Sequence, residues 1–586
     1  MTKPSLFLQS IGQAENEVLN ALLGKISEND RIWLSGYLYG LSPESPMAKT
    51  PENIHNQNVA VLYASQSGNA KKVAEKTVAF LAQNQINATA LNVAKIKIKK
   101  LTEYSAILGV IATYGEGEPP DDAIAFFDEL SQKKLPKFTD IQLSTLALGD
   151  SSYEFFCKTG HDFHSALTKN GAKEISAVFE ADLDFEPIVK KWHESLLQNL
   201  KVAENNNISQ PILAKTHANI AKYDRNNPYT AKIIRNQKIT ADGSIMDIRH
   251  IEFDIDGSGI RYQSGDDLGI WFSNDANLVE EIISQIQAKP QDKIILNDTE
   301  LSLAEALTKK LEITAATAKF ISQYTKLSQA QKLEPLLKDK AALREYANQT
   351  QIIDVLKTQD TPIKAQDFVD MLRPLTPRLY SIASSPADVD DEVHLTVRIV
   401  NFTHEGQERF GGASGYLSRL KADDEVQIYI ESNDKFRLPD DNSHIIMIGN
   451  STGIAPYRAF MYERQNNQTQ GKNWLIYNNP NFEHDFLYQS EWVDWQKSQL
   501  LTDYNFIWHT DETQIKELML SQGQKIWQWL GENAYLYIAG SQTTMAKAAH
   551  EALLQIAQSH GGLDEKQSRA WINELKAQNR YQRDIY

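Results

Sequence analysis

The sequence predicts a multidomain α/β chain: a parallel sheet covered by helices, then a β-barrel with a helical insertion, then a second parallel α/β domain. Three observations carry this. Strand-like runs alternate with helical patterns between 59 and 200. Strand-like alternation then marks several segments between 223 and 440, interrupted over about 276–370 by helical Leu/Ala/Lys/Gln patterns. From 441 to 586 the strand–turn–helix alternation returns.

At 586 residues the chain exceeds one core, and typical domain sizes give about four units, with three or two as alternatives. Its 60 Lys+Arg against 76 Asp+Glu give a net charge of −16, which argues against nucleic acid or an anionic membrane as a partner. Cys157 is the only cysteine, so the chain holds no internal disulfide, Cys₄ zinc site or self-contained iron–sulfur cluster, and no metal is expected. A reducing cytoplasm fits that usage. No run approaches the ~18 continuous apolar residues of a membrane span, and "MTKPSLFLQSIGQ" lacks the pattern of a secretion signal.

In chain order, Val18, Leu22 and Ile26, then Ile32, Leu34 and Leu38, recur at helical intervals around "SEND", giving an N-terminal helical segment over 1–40. It is either an assembly element or a cap. The proline-containing polar stretch 41–58 reads as a linker, and the first large domain follows over 59–200. Its strand candidates are "VAVLYA", "AILGVIATYG" and "LSTLALGD". The Asn-rich stretch 201–222 is a second linker. "YTAKIIRNQKIT", "MDIRHIEFDI", "VHLTVRIVNF" and "DEVQIYIES" supply the barrel, and "HIIMIGNSTGIAP", "NWLIYNN" and "AYLYIAG" the last sheet.

Open α/β sheets bind ligands beyond the carboxyl ends of their strands. In the first domain those ends carry "SQSGNA", "ATYGEGEPPDDA" and "LGDSSYEFFC". The first has glycine and hydroxyls but no basic side chain before Lys71, which suits a monophosphate at a helix start better than a triphosphate. Taken alone, the loop is equally an ordinary βα turn capped by Asn69. Tyr114 and Tyr153 in the other two are placed to sandwich a flat ring.

Together these segments resemble the FMN domain of the diflavin reductases, which is flavodoxin-like. The resemblance implies that Ser65, Gln66, Ser67, Gly68, Asn69 and Ala70 hold the FMN phosphate. It places the FMN ring against Ala112, Thr113, Tyr114 and Gly115, and against Leu148, Gly149, Asp150, Ser151, Ser152, Tyr153, Glu154, Phe155, Phe156 and Cys157. "RLYSIASS" resembles the FAD motif of the ferredoxin–NADP reductase superfamily, in which Arg378 would contact pyrophosphate, Tyr380 stack on the isoalloxazine beside Leu379, and Ser381 lie near flavin N5. "GGASGYLS" is similar to the second FAD segment, Gly411, Gly412, Ala413 and Ser414, and Thr314, Thr396, Val397 and Arg398 complete the implied FAD set. "GNSTGIAPYRAF", with Gly449, Thr452 and Gly453, resembles the pyridine-nucleotide segment of a ferredoxin-reductase-type domain. In "RYQRDIY", Asp584 and Tyr586 join Ser381 as implied catalytic residues, the last aromatic covering the FAD ring.

"LSGYLYGLS", "FFCKTGHDF", "NDKFRLP", "FLYQSEW" and "RYQRDIY" make the whole chain most similar to the flavoprotein subunits of assimilatory sulfite reductase. That implies hydride delivery from NADPH or NADH to FAD, passage to FMN, and release to a separate sirohaem-containing subunit within an oligomer. The alternative is an electron-transfer flavoprotein or general diflavin reductase serving another acceptor, with NADH or a non-nucleotide donor. Glu116, Glu118, Asp121, Asp122, Glu154, Glu180, Asp182 and Asp184 are expected to form an acidic docking face around the FMN.

The resemblance departs from the family in two places. His509 and Thr510 stand where a Ser-Arg pair holds the 2′-phosphate of NADPH, and of the following Lys-x-Tyr-x-Gln segment only Lys516 remains. Ala539-Gly540-Ser541 replaces Cys-Gly-Asp, removing a cysteine expected near the nicotinamide, so slower hydride transfer is implied.

Overall fold

The structure, a computed structural model, describes residues 58–114, 117–131, 135–151, 155–200, 223–511 and 513–585. The expected N-terminal helices lie outside the described residues, as do both linkers apart from Asn58.

The first sheet comprises β1 (Val59–Ala64), β2 (Ala88–Asn92), β3 (Ala106–Ala112), β4 (Gln142–Leu148), β5 (Lys173–Glu174) and β6 (Phe179–Ala181). All pairings are parallel, in the order β2-β1-β3-β4-β5, with β6 also on β4. The central strands are continuous apolar runs because both faces are covered. Val73 and Leu81 of the helix Asn69–Gln83 pack on one face with Trp192 of Glu186–Asn199. Phe126 of Ile124–Leu130 and Phe163 of Lys158–Lys169 pack on the other. Since β1, β3 and β4 are neighbours running the same way, their carboxyl-end loops adjoin.

The second sheet starts with β7 (Tyr229–Lys238), β8 (Asp247–Asp254) and β9 (Asp267–Trp271). A helical insertion runs from the helix Ala276–Gln285 to Ala365–Val369, with its own core around Ile282, Phe320 and Ile353. It also contains a hairpin that periodicity did not reveal, β10 (Lys293–Leu296) with β11 (Thr299–Ser302), and β12 (Leu311–Glu312) pairs across its base with β13 (Arg373–Pro374). The chain then forms β14 (Arg378–Ser381), β15 (Glu392–Ile399), the hairpin β16 (Asn401–His404) and β17 (Gln407–Phe410), and β18 (Glu425–Glu431). The antiparallel order is β14-β9-β18-β7-β8-β15, and a bridge between Ile382 and Leu395 brings its two ends together. The sheet thus curls into a barrel around Ile251, Phe253, Leu268 and Val397.

The third sheet comprises β19 (Ile445–Asn450), β20 (Asn473–Asn479), β21 (Leu501–Trp508), β22 (Tyr535–Gly540) and β23 (Tyr581–Ile585), all parallel in the order β21-β20-β19-β22-β23. Most of "RYQRDIY" is therefore an edge strand on β22, with Asp584 opposite Ala539.

Barrel and third domain meet at a buried polar cluster. His250 on β8 bonds Tyr488 Oη at 3.0 Å and Glu252 at 3.1 Å, His394 on β15 bonds Glu392 at 2.8 Å, and Arg458 grips Glu491 with two bonds of 2.7 and 2.8 Å. Burial, reinforced by the Arg458 charge, pushes His250 down to about 2 and His394 to about 3. Both imidazoles are neutral in the folded chain, while the unfolded chain protonates them below about 6.5. Their contribution is fully present above that pH and is lost as pH falls below it, by about 2 kcal/mol each at pH 5. Urea midpoints at pH 7 and pH 5 are expected to differ less in His394→Gln than in the wild type. An equal difference in both would show that the imidazole does not titrate in this way.

Candidate active site

The first site is built by the loops after β1, β3 and β4. Gly68, at φ 87°, turns the chain into the helix Asn69–Gln83, and a side chain on it would meet nothing within 4 Å. Asn69 is thus the first helical residue and Gly68 the cap, so the Asn-cap reading of this turn does not hold. Ser65 is buried and its Oγ has no partner, an orphaned hydroxyl in a loop that opens a helix. Such a group fits a phosphate, which accepts hydrogen bonds. Ser67 lies in the same turn, and buried Ala70 fixes the helix to the sheet. Gln66 is committed elsewhere: its Oε1 accepts from the Asp121 backbone N–H at 2.9 Å and its Nε2 donates to the Asp121 carboxylate at 3.2 Å.

Beyond Ala112, Thr113 Oγ1 accepts from Thr159 N–H at 3.1 Å, and Tyr114 exchanges two backbone bonds of 2.8 Å with Glu118. Beyond Leu148, Gly149 passes so close to Cys157 that a side chain would meet its backbone nitrogen at 2.9 Å. Asp150 accepts from Arg373 at 3.4 Å, and Ser151 is held by Asp182. Phe155 is partly exposed and packs over Gly117, beside Phe156. Cys157 has a structural role here. It caps the helix Lys158–Lys169, its thiol donates to Ala147 O at 3.3 Å, and burial pushes it up to about 12, far from a reactive thiolate. Gly115, Ser152, Tyr153 and Glu154 lie outside the described residues.

A second cavity, of about 730 Å³, gathers Arg378, Leu379, Tyr380 and Ser381 of β14, Thr396 and Arg398 of β15, Thr314, the helix start Gly411–Ser414, and Asn450, Thr452, Ser541 and Asp584 of the third domain. The glycines form a tight cradle: a side chain on Gly412 would strike the Phe272 ring, and one on Gly411 would meet Ser414 Oγ at 2.9 Å. A helix start without side chains, facing an arginine and a tyrosine, fits a dinucleotide flavin. Buried Glu312, which sequence reading missed, accepts from Thr314 N–H at 2.8 Å and from Arg378 at 3.4 Å, fixing both. Val397 does not line the cavity; its side chain fills the barrel core, because alternate residues of β15 face opposite ways. Gly449 and Gly453 also stand back from it, packed against the Ala539 carbonyl. The Ala539 side chain is buried in the third-domain core, and the residue that reaches the cavity from that turn is Ser541. The deficit expected of Ala539 thus has no cavity-lining side chain behind it.

Ser381 Oγ donates to Asp584 Oδ2 at 2.6 Å. Burial pushes the Asp584 carboxyl up against the opposing effect of that bond. Asp267, paired with Ser381 across β9 and β14, is pushed up first by burial and then by the charges of Asp584, Asp266 and Glu431. This carboxyl group lines the same cavity, and no motif marked it. Tyr586 lies outside the described residues, and exposed His509 and Thr510 lie at the end of β21, outside this cavity.

Residues 61–192 match the flavodoxin model, 221–416 the FAD binding domain model, and 447–551 the oxidoreductase NAD-binding domain model. The chain is 38% identical over 595 residues to the sulfite reductase (NADPH) flavoprotein alpha-component of Photorhabdus laumondii, covering 100% of this chain and 99% of that protein. It is 39% identical to that of Aliivibrio fischeri, covering 99% and 98%, and 40% identical to that of Mannheimia succiniciproducens, covering 96% and 98%. The chain belongs to this family.

As a sulfite reductase flavoprotein alpha-component it is a diflavin oxidoreductase with FMN and FAD as cofactors, and an alpha-component implies a partner subunit. No helix among the described residues is long and apolar enough to cross a membrane. The expected acidic docking face is split: Asp121 is turned inward, Asp122, Asp182 and Asp184 are half-buried, and Glu118 and Glu180 stay exposed. Asp121 is nearly enclosed between Arg583 (Nε to Oδ2 3.0 Å) and Lys576 (3.1 Å) of the third domain. Burial would raise its carboxyl, but the two cations hold it well below the usual carboxylate range. Asp122 pairs with Lys435 at 3.1 Å and Asp182 lies 4.0 Å from Arg373. Glu180, about half exposed, bonds His161, while Glu116 and Glu154 lie outside the described residues.

Two outcomes follow from this geometry. Asp121→Asn leaves Arg583 and Lys576 buried without a counter-charge and is expected to cost about 3–5 kcal/mol in urea unfolding. A loss below about 1 kcal/mol would mean the cluster is hydrated in solution. Ser381→Ala and Asp584→Asn are each expected to slow flavin reduction by roughly a hundredfold or more in stopped flow, the scale of a lost proton-transfer partner. Rates within about threefold of wild type would remove the pair from the chemistry.

Proposed function

We propose that this chain takes a hydride from a reduced nicotinamide dinucleotide and passes the electrons to a separate sirohaem-bearing subunit, where sulfite becomes sulfide. The flavins supply the conversion of a two-electron donor into single-electron steps. The residues bind, orient and exclude water. Arg378 and the Gly411–Ser414 helix start hold the FAD pyrophosphate, Tyr380 lies against its ring, and Ser381 with Asp584 holds a proton beside the reacting end. Thr452 and Gly453, in the turn after Gly449 of β19, would receive the nucleotide pyrophosphate. Ser65, Ser67 and the backbone N–H groups from Gly68 to Ala70 would hold the FMN phosphate, and Tyr114 would flank its ring, with Tyr153 assigned the other side by the sequence resemblance alone.

The observation that carries this reading is the single cavity into which barrel residues Tyr380 and Ser381 and third-domain residues Thr452, Ser541 and Asp584 all open. Donor and flavin sites there share one wall. Domain boundaries at 59–200, 223–440 and 441–586 belong to the same proposal. A cytoplasmic location and an assembly with more than one copy complete the proposal; the relatives' names support sulfite reduction, a partner component and an NADPH-type donor.

Acid extraction of the loaded protein is expected to release FMN and FAD in equal amounts. Mixing it with the haem subunit, sulfite and a reduced nicotinamide dinucleotide is expected to yield sulfide, and Ser381→Ala to abolish most of that turnover. Recovery of FAD alone would overturn the two-flavin reading, and full flavin reduction without sulfide would overturn the acceptor.

A further inference from the structure

The order β21-β20-β19-β22-β23 reverses direction between β19 and β22, and dinucleotides bind across such a switch point. The reacting end of the donor belongs with Ser381, Thr452, Ser541 and Asp584, on the β19, β22 and β23 side. Its adenosine therefore lies toward the carboxyl ends of β20 and β21. Two aromatic rings wait there: Phe482, half exposed just beyond β20, stands edge-on to Trp508 at the end of β21, with centroids 5.3 Å apart. Such a pair suits a flat base.

The next residues decide what the ribose can carry. From His509 to Ser521 the sequence has Asp511, Glu512 and Glu517 against a single ammonium, Lys516. Lys516 is committed to Glu551 at 2.7 Å, on the helix Lys547–Gly561. Lys525, in the next helix, pairs with Asp503 and sits 4.5 Å over the Trp474 ring. Asp511 Oδ1 accepts from Thr513 N–H at 2.9 Å and from its hydroxyl at 2.6 Å, bonds that hold this carboxyl below its ordinary range and keep it ionised. His509 Nδ1 accepts from the Asp511 N–H at 2.9 Å, so in the neutral ring the proton sits on Nε2. A 2′-phosphate dianion in this loop would meet a carboxylate and find the loop's one ammonium already paired. A 2′-hydroxyl can donate to that carboxylate.

We propose that the loop after β21 selects a dinucleotide with a free 2′-hydroxyl, making NADH the preferred donor, with Thr510 and Asp511 as the residues that set the choice. This rests on the reading that a nicotinamide dinucleotide reduces the chain, and it departs from the donor named for the relatives. The hydride is the same in both nucleotides, so the selection acts through binding of the adenosine half.

Two measurements on the flavin-loaded full chain test it. In anaerobic stopped flow, kcat/KM for flavin reduction is expected to be at least tenfold higher with NADH than with NADPH. In calorimetric titrations, 5′-AMP is expected to bind more tightly than 2′,5′-ADP, and the double variant Thr510→Arg with Asp511→Asn to tighten 2′,5′-ADP about tenfold. A kcat/KM for NADPH equal to or above that for NADH would overturn the inference and leave the donor reading standing. An unchanged 2′,5′-ADP affinity in a folded double variant would overturn the assignment to this loop. Failure of both nucleotides to bleach flavins that dithionite reduces would overturn the donor reading itself, and the inference with it.

Discussion

The cluster of Asp121 with Arg583 and Lys576 is the contact on which the relation between the two flavin sites depends. A carboxylate this enclosed is tolerable only with its charge matched, and the two cations come from the last strand and the helix before it. The same carboxylate accepts from Gln66 in the loop after β1, so one side chain links the FMN loop to β23. Arg583 adjoins Asp584 in that strand, and Asp584 holds Ser381. A shift at Asp121 is therefore felt at the residue next to the proton-holding pair. Further ionic contacts act alongside it, Lys435 with Asp122 and Arg373 with Asp150, each joining the first domain to the rest of the chain.

Charge of one sign was legible in the sequence, but its direction was not. Asp121, Asp122 and Asp182 read as a solvated face because no local pattern reveals cations supplied from about 190 to 460 residues away. The −16 net charge describes the exterior field, and it is silent on which carboxylates contribute to it. The same limit applies inside the FAD cavity. Asp267, which lines it, and Glu312, which holds Thr314 and Arg378 from behind, sit in no motif and are brought to the site by the pairing of β9 with β14 and by the base of the helical insertion.

Where the sequence reading succeeded, the physics was local. Continuous apolar runs such as Val59–Ala64 and Ile445–Asn450 have one good solution, a parallel strand covered on both faces. Gly68 at the end of the first run has the positive φ that its loop needs. Alternation along β8 and β15 sorted barrel interior from exterior, and it also explains why Val397 faces the core while its neighbours Thr396 and Arg398 face the cavity.

By itself the sequence determined the order of the three sheets, the glycine- and hydroxyl-bearing turns at their strand ends, and the presence of Ser381 and Asp584. These follow from periodicity and from residue types with few conformational alternatives. Only the tertiary structure decided that Ser381 and Asp584, 203 positions apart, share a 2.6 Å bond, that Ser541 and not Ala539 reaches the cavity, and that Lys516 is spent on Glu551. Each of these outcomes depends on which strands become neighbours and on which side of a strand a residue emerges. Long-range hydrophobic packing sets both, and no window of sequence contains it.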